Sequence, residues 1–156
     1  MIKNKGFTLI ELIVSFVLIT VVSIALFKTV LNLQQDQKRN IAINNFKALT
    51  IALNYEIEND FLNDRITKVR DCGNNCYNIT YKNRGLVKLS VNVDNNTITY
   101  GNTKQYLPEG YTLYDYISIT RYISAVEGLN SYYLLKIPIK SVYDESLEGL
   151  KYMNEY

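Results

Sequence analysis

The sequence predicts an α+β fold in which one long N-terminal helix, membrane-spanning in its first half and amphipathic in its second, packs on an antiparallel β-sheet head. Three observations predict it. Residues 7–27 (FTLIELIVSFVLITVVSIALF) are apolar almost without interruption, close to the ~20 residues a helix needs to cross a ~30 Å hydrocarbon layer. No glycine or proline occurs between residues 7 and 72, and beyond residue 40 apolar side chains recur every three or four positions. From Cys76 onward the period changes to two, with turn-forming residues between the runs.

Length and composition bound the rest. A chain of 156 residues with 47% hydrophobic content is long enough for one globular domain, but the apolar residues are concentrated at the start, so the average spans two solvents. The formal net charge is +2, and without Lys3 and Lys5 the seventeen basic side chains become fifteen, equal to the fifteen acidic ones. Such neutrality argues against a broad phosphate-tracking surface and hence against a general nucleic-acid binder.

The first element begins with a basic leader, Met1-Ile2-Lys3-Asn4-Lys5-Gly6, which contains no acid. Lys28 closes the apolar run. The positive-inside rule places the N-terminus in the cytoplasm and everything beyond Lys28 outside, as a single-pass membrane protein with an extracytoplasmic head. No small-residue cleavage site follows the apolar stretch, so it does not read as an ordinary secretory signal. Within the run stands one carboxylate, Glu11. An intramembrane acid costs on the order of 2.5 to 3.5 kcal/mol at mid-bilayer and less near the edge, which makes it a functional-site candidate. If the bond after Gly6 is cut, Phe7 gains a free amino group and Glu11 lies four residues on. In a bundle of identical helices offset by about one turn, the ammonium of one subunit meets the carboxylate of its neighbour and sets the register.

Gly6-Phe7-Thr8-Leu9-Ile10-Glu11-Leu12, following Lys3-Asn4-Lys5, resembles the signature of type IV prepilins and of the pseudopilins of type II secretion and competence systems. The resemblance implies cleavage between Gly6 and Phe7 by a membrane prepilin peptidase, N-methylation of Phe7, and a role for Glu11 in docking to the neighbouring subunit. It also implies the long helix as domain spine. Many major pilins carry a proline in the apolar helix; this sequence has none there.

The helix continues beyond Lys28 with a one-sided pattern. Phe46, Leu49, Leu53, Ile57 and Phe61 form an apolar stripe, with Ala42 and Ala52 on or beside it, expected to lie on a sheet. The helix is expected to run to about residue 65. Glu56, Glu58, Asp60 and Asp64 invite a catalytic or calcium-binding reading, but Arg65 and Lys68 follow closely and a solvated charged helix face explains the group. Next, Cys72 and Cys76 flank Gly73-Asn74-Asn75 and are the only two cysteines. With no histidine in the chain they cannot complete an ordinary zinc site, and three intervening residues differ from a thioredoxin-like pair. An extracytoplasmic disulfide pinning the helix-to-sheet junction is the expected role.

Three strands of an antiparallel meander follow, around Tyr77, Ile79 and Tyr81, around Val87, Leu89, Val91 and Val93, and over residues 97–101, separated by Asn83-Arg84-Gly85 and Asp94-Asn95-Asn96. After a Pro108-Glu109-Gly110 turn, residues 111–124 read as one long strand. A turn at 127–130 leads to a strand over 132–139, which Pro138 ends or places at an edge. These strands are expected to form one sheet on the helix stripe. In the tail, Leu147, Leu150 and Met153 are spaced three apart, which permits a short helix.

The expected organisation is a leader at 1–6, a transmembrane or filament-core helix at 7–30, an amphipathic helix at 31–66 and a β-rich head at 67–156. No nucleophile elbow, phosphate loop, histidine-based triad or metal-ligand cluster is legible, so the chain reads as a non-enzyme with no cofactor and no metal. The stretch 39–61 resembles the helix of larger minor pseudopilins. The resulting expectation is a minor type IV pilin or pseudopilin that assembles into, or initiates, a filament for type II secretion, DNA uptake or surface adhesion. Its implied partners are other pilin subunits, the prepilin peptidase, the membrane assembly platform, membrane lipid and an unidentified extracellular ligand. The alternative is a membrane-anchored binding module whose fourteen tyrosines, such as Tyr114, Tyr116 and Tyr122, line a sticky sheet face rather than packing the core.

Overall fold

The computed structural model of the chain describes residues 8–125 and 131–155. The turn expected at 127–130 lies outside the described residues. Two compact units make up the chain, Met1–Ile41 and Ala42–Tyr156. In the first, helix α1 (Leu9–Leu53) begins at Leu9 and carries apolar side chains on every face, all of them exposed as far as Leu33.

In the second unit the same helix becomes one-sided. Ala42, Phe46, Leu49 and Leu53 are buried, while Ile51 and Tyr55 are exposed. A π-helical stretch, Asn54–Glu58, and a short helix α2, Asn59–Asn63, carry the stripe on through Ile57 and Phe61. The last steps of the stripe are four residues each, and in an α-helix every such step drifts by about 40° around the axis. The wider π turn takes up that drift and keeps Leu53, Ile57 and Phe61 on one line. The helix ends at Asn63 rather than near residue 65, because Asp64 is extended (φ −132°, ψ 136°) and Ile66 already opens a strand.

A five-stranded antiparallel meander covers the stripe, in the order β1 (Ile66–Asp71), β2 (Cys76–Tyr81), β3 (Gly85–Asn92), β4 (Thr97–Tyr100) and β5 (Thr103–Tyr106). The three expected strands are its centre. The additional flanks β1 and β5 are mostly polar, with sequences ITKVRD and TKQY, because each stands at an edge where little is buried. Gly85 supplies the left-handed backbone (φ +84°) that the β2–β3 hairpin requires next to the Tyr81 pairing.

The C-terminal half differs from the expectation of one sheet. Residues 111–124 do not form one strand: β6 (Tyr111–Leu113) and β7 (Ser118–Tyr122) are separated by Tyr114, Asp115, Tyr116 and Ile117. β8 (Tyr132–Ile137) stops before Pro138, whose missing N–H cannot join a ladder, and β9 (Ile139–Ser141) resumes to pair with β6. The tail is a strand and not a helix. β10 (Leu150–Glu155) pairs along β8 from Leu150↔Ile137 to Glu155↔Tyr132, so that Tyr152 and Asn154 are buried while Lys151 and Met153 are exposed. The order in that second sheet is β10-β8-β7, and β6 with β9 forms a third. All three sheets contribute to one core around the helix stripe, including Ile79, Leu89 and Ile98 from the meander and Leu135, Ile137 and Ile139 from the C-terminal strands. Phe46 stacks on Tyr111 with ring centroids 4.0 Å apart, and Asn154 donates to the carbonyl of Asp64 at 2.9 Å, satisfying a terminal acceptor of the helix.

Candidate functional site

The sequence features that point to function gather in the first unit. Thr8 is the N-cap of α1. The backbone N–H and the hydroxyl of Thr8 each donate to Glu11 Oε2 at 2.9 Å, and the Glu11 N–H donates back to Thr8 Oγ1 at 3.4 Å. Thr8-Leu9-Ile10-Glu11 is therefore a capping box, in which Thr and Glu reciprocally satisfy donors that a helix start leaves without partners. The T-x-x-E spacing was visible in the sequence. Glu11 attracted attention there as a charge in an apolar run, and its local capping use was missed. Gly6 and Phe7 lie outside the described residues.

Beyond the cap, three side-chain hydroxyls in and just after the apolar run bond to their own helix. Thr20 Oγ1 donates to the carbonyl of Phe16 at 2.8 Å, Ser23 Oγ to that of Ile19 at 2.8 Å, and Thr29 Oγ1 to that of Ala25 at 3.0 Å. Such bonds suit surroundings without water, where a polar group must be satisfied within its own segment. The apolar side chains are bare: Leu9 is 81% exposed, Phe16 70% and Phe27 66%. With a mean hydropathy of 2.7 over its most apolar window and none of that window buried, the helix is long and apolar enough to cross a membrane.

The acids at the end of the helix have a different fate. Asp60 is buried and does not belong to a solvated face, which corrects the expectation for it. Its Oδ2 accepts the Tyr100 hydroxyl at 2.5 Å and pairs with Arg84 Nη1, while Arg84 Nη2 lies 3.6 Å from Glu56. Because Tyr100 gives its proton to Asp60, the Tyr81 hydroxyl, 2.8 Å away, donates to Tyr100. Burial pushes the hydroxyls of Tyr81 and Tyr100 well above the usual phenol range. Asp64 accepts backbone N–H groups from Asn83 at 3.0 Å and Arg84 at 2.8 Å. Its carboxyl feels some desolvation, but these bonds outweigh it and hold the pKa below the usual carboxylate range. The cluster fastens the end of the helix to the β2–β3 hairpin. Among the described residues no group of three or more His, Cys, Asp and Glu side chains is placed to hold a metal ion.

Cys72 and Cys76 are joined by a disulfide with a Cα–Cα distance of 5.1 Å. It bridges the turn between β1 and β2, one strand later than the helix-to-sheet junction expected for it.

The prokaryotic N-terminal methylation motif, the type IV prepilin-type signature, matches residues 1–27. No curated protein and no solved structure is matched by the chain. The chain is thus type IV pilin-like at its N-terminus, and the motif implies other pilins and a prepilin peptidase as partners.

Proposed function

We propose that this protein is a minor type IV pilin or pseudopilin, a structural subunit that is cleaved after Gly6, methylated on Phe7 and drawn from the membrane into a filament. One observation carries the reading: from Leu9 onward the methylation motif lies on a helix whose apolar side chains are exposed on every face as far as Leu33. A surface of that kind requires lipid before assembly and neighbouring helices after it. The signature is that of a structural and not an enzymatic family, and the described head is consistent with a packed scaffold.

Glu11 has two uses in this reading. Its Oε2 closes the capping box, and Oε1 remains available for the ammonium that cleavage creates on Phe7 of a neighbouring subunit. Glu11→Gln separates the two, since an amide oxygen still accepts the capping bonds but carries no charge. The test is the fraction of chain recovered in sheared filaments from the cell that makes it. Incorporation at least tenfold lower for both Glu11→Gln and Glu11→Val is expected; wild-type incorporation of Glu11→Gln would reduce Glu11 to a helix cap.

A further inference from the structure

The break between β6 and β7 places Tyr114, Asp115 and Tyr116 beside the disulfide loop and the β3–β4 turn, and the three segments border an open surface cavity of about 520 Å³. Its walls include Asn74 and Asn75 from the loop, Asn92 from the end of β3, Asp94 from the turn, and the two tyrosines. In the loop Gly73, Asn74 and Asn75 all adopt left-handed backbone, with φ of 78°, 46° and 57°. Asn is the side-chain-bearing residue that takes this conformation most readily in tight turns, and neighbouring groups can fix it there.

Here the surroundings do so from three sides. The disulfide closes the loop, the Cys72 N–H donates to the Cys76 carbonyl at 3.0 Å, and the Val91 N–H donates to the Asn75 carbonyl at 2.9 Å. The Ile117 N–H donates to Asn75 Oδ1 at 3.3 Å, and the Tyr116 N–H donates to Asp115 Oδ1 at 2.8 Å. Loop, turn and tyrosine segment are thereby locked together before any ligand arrives, the preorganisation that binding sites exploit. Within this frame Asn74 is exposed and its side chain makes no hydrogen bond among the described residues; Tyr116 leaves its ring 75% exposed.

The lining selects the chemistry. No Lys or Arg lines the cavity and two carboxylates do, which disfavours phosphates and nucleic acid. A flat, bare phenol ring next to planar amides and carboxylates matches a molecule with an apolar C–H face and a rim of hydroxyl donors. We propose that this cavity of the head binds a neutral hexopyranose unit of a glycan, stacked on Tyr116 and hydrogen-bonded by Asn74 and the Asp94 carboxylate.

The test titrates the full chain, in a polyoxyethylene detergent that carries no sugar, with the methyl glycosides of glucose, galactose, mannose and N-acetylglucosamine, read by saturation-transfer NMR. At least one glycoside is expected to bind with a millimolar Kd, about tenfold more weakly to Tyr116→Ala and to Asn74→Gly. Asn74→Gly keeps the left-handed backbone while deleting the amide, so it remains informative if Tyr116→Ala fails to fold. Tyr106→Ala, which removes another exposed ring on β5, is expected to bind as wild type. The proposal is overturned if no glycoside binds up to about 100 mM, if both site variants bind like wild type, or if calcium or inorganic phosphate binds there in place of sugar.

Discussion

Residues 9–33 and 42–61 lie in one unbroken helical run, Leu9–Asn63, yet they meet opposite surroundings. Ile19 is 65% exposed and Leu53 is fully buried, although both are aliphatic residues in the middle of their segments. The second segment needs only its own chain, because the strands supply a surface for its stripe. The first has no such surface among the described residues and is apolar on every face, so its stability must come from lipid or from other helices. The same backbone geometry thus serves a packed folding element at one end and a bare apolar surface at the other; what separates them is whether apolar residues occupy one side of the helix or all of it.

Substitutions of equal size break the comparison most sharply. Leu53→Ala leaves a cavity against the sheet and is expected to cost the head about 2–5 kcal/mol, whereas Leu18→Ala, in the bare segment, leaves head unfolding unchanged. Urea titration of the full chain in detergent, followed by near-ultraviolet circular dichroism, checks both. Next in size is Asp60→Ala. It strands Tyr100 without its acceptor and leaves Arg84 with the more distant Glu56 as its remaining ion-pair partner, for an expected loss of about 2–3 kcal/mol, kept moderate because Arg84 is partly exposed. Replacing both Cys72 and Cys76 by Ser is expected to lower head stability by about 2 kcal/mol, the chain-entropy value for so short a loop, and to leave the membrane helix unaffected. That difference is measurable as a shift in the urea midpoint.

A smaller effect is the alkaline dependence. The folded head raises the phenol pKa values of Tyr81 and Tyr100, so the unfolded chain loses those protons first. Their contribution is complete below about pH 10, the ordinary phenol value, and is lost as pH rises toward the folded values. Stability of the wild-type head is therefore expected to fall above about pH 10, and Tyr81→Phe to flatten that fall. An unchanged alkaline slope in the variant would show that Tyr81 contributes nothing to it.

The comparison also explains what was legible beforehand. The membrane-length run, the stripe from Phe46 to Phe61 and the central strands β2, β3 and β4 announce themselves through local periodicity. The edge strands β1 and β5 are polar and offer little period-two signal, and the tail mimicked a helix because Leu147, Leu150 and Met153 happen to be spaced by three. Only pairing with β8 reveals β10 as a strand. Asp60 was misread for a related reason: its partners Arg84 and Tyr100 come from 24 and 40 residues away, and a buried acid whose cation is distant in sequence looks like a solvated one. At the candidate site, Glu11 stood out as a charge in an apolar run. The saccharide cavity did not, because it is assembled from three separate turns.

The most direct test of the account is the intact mass of the protein, expressed with and without an active prepilin peptidase. The account predicts loss of Met1 to Gly6 and gain of one methyl group only when the peptidase is present. An unprocessed mass beside a control prepilin that is cut would contradict it, leaving the bare helix as an ordinary membrane anchor.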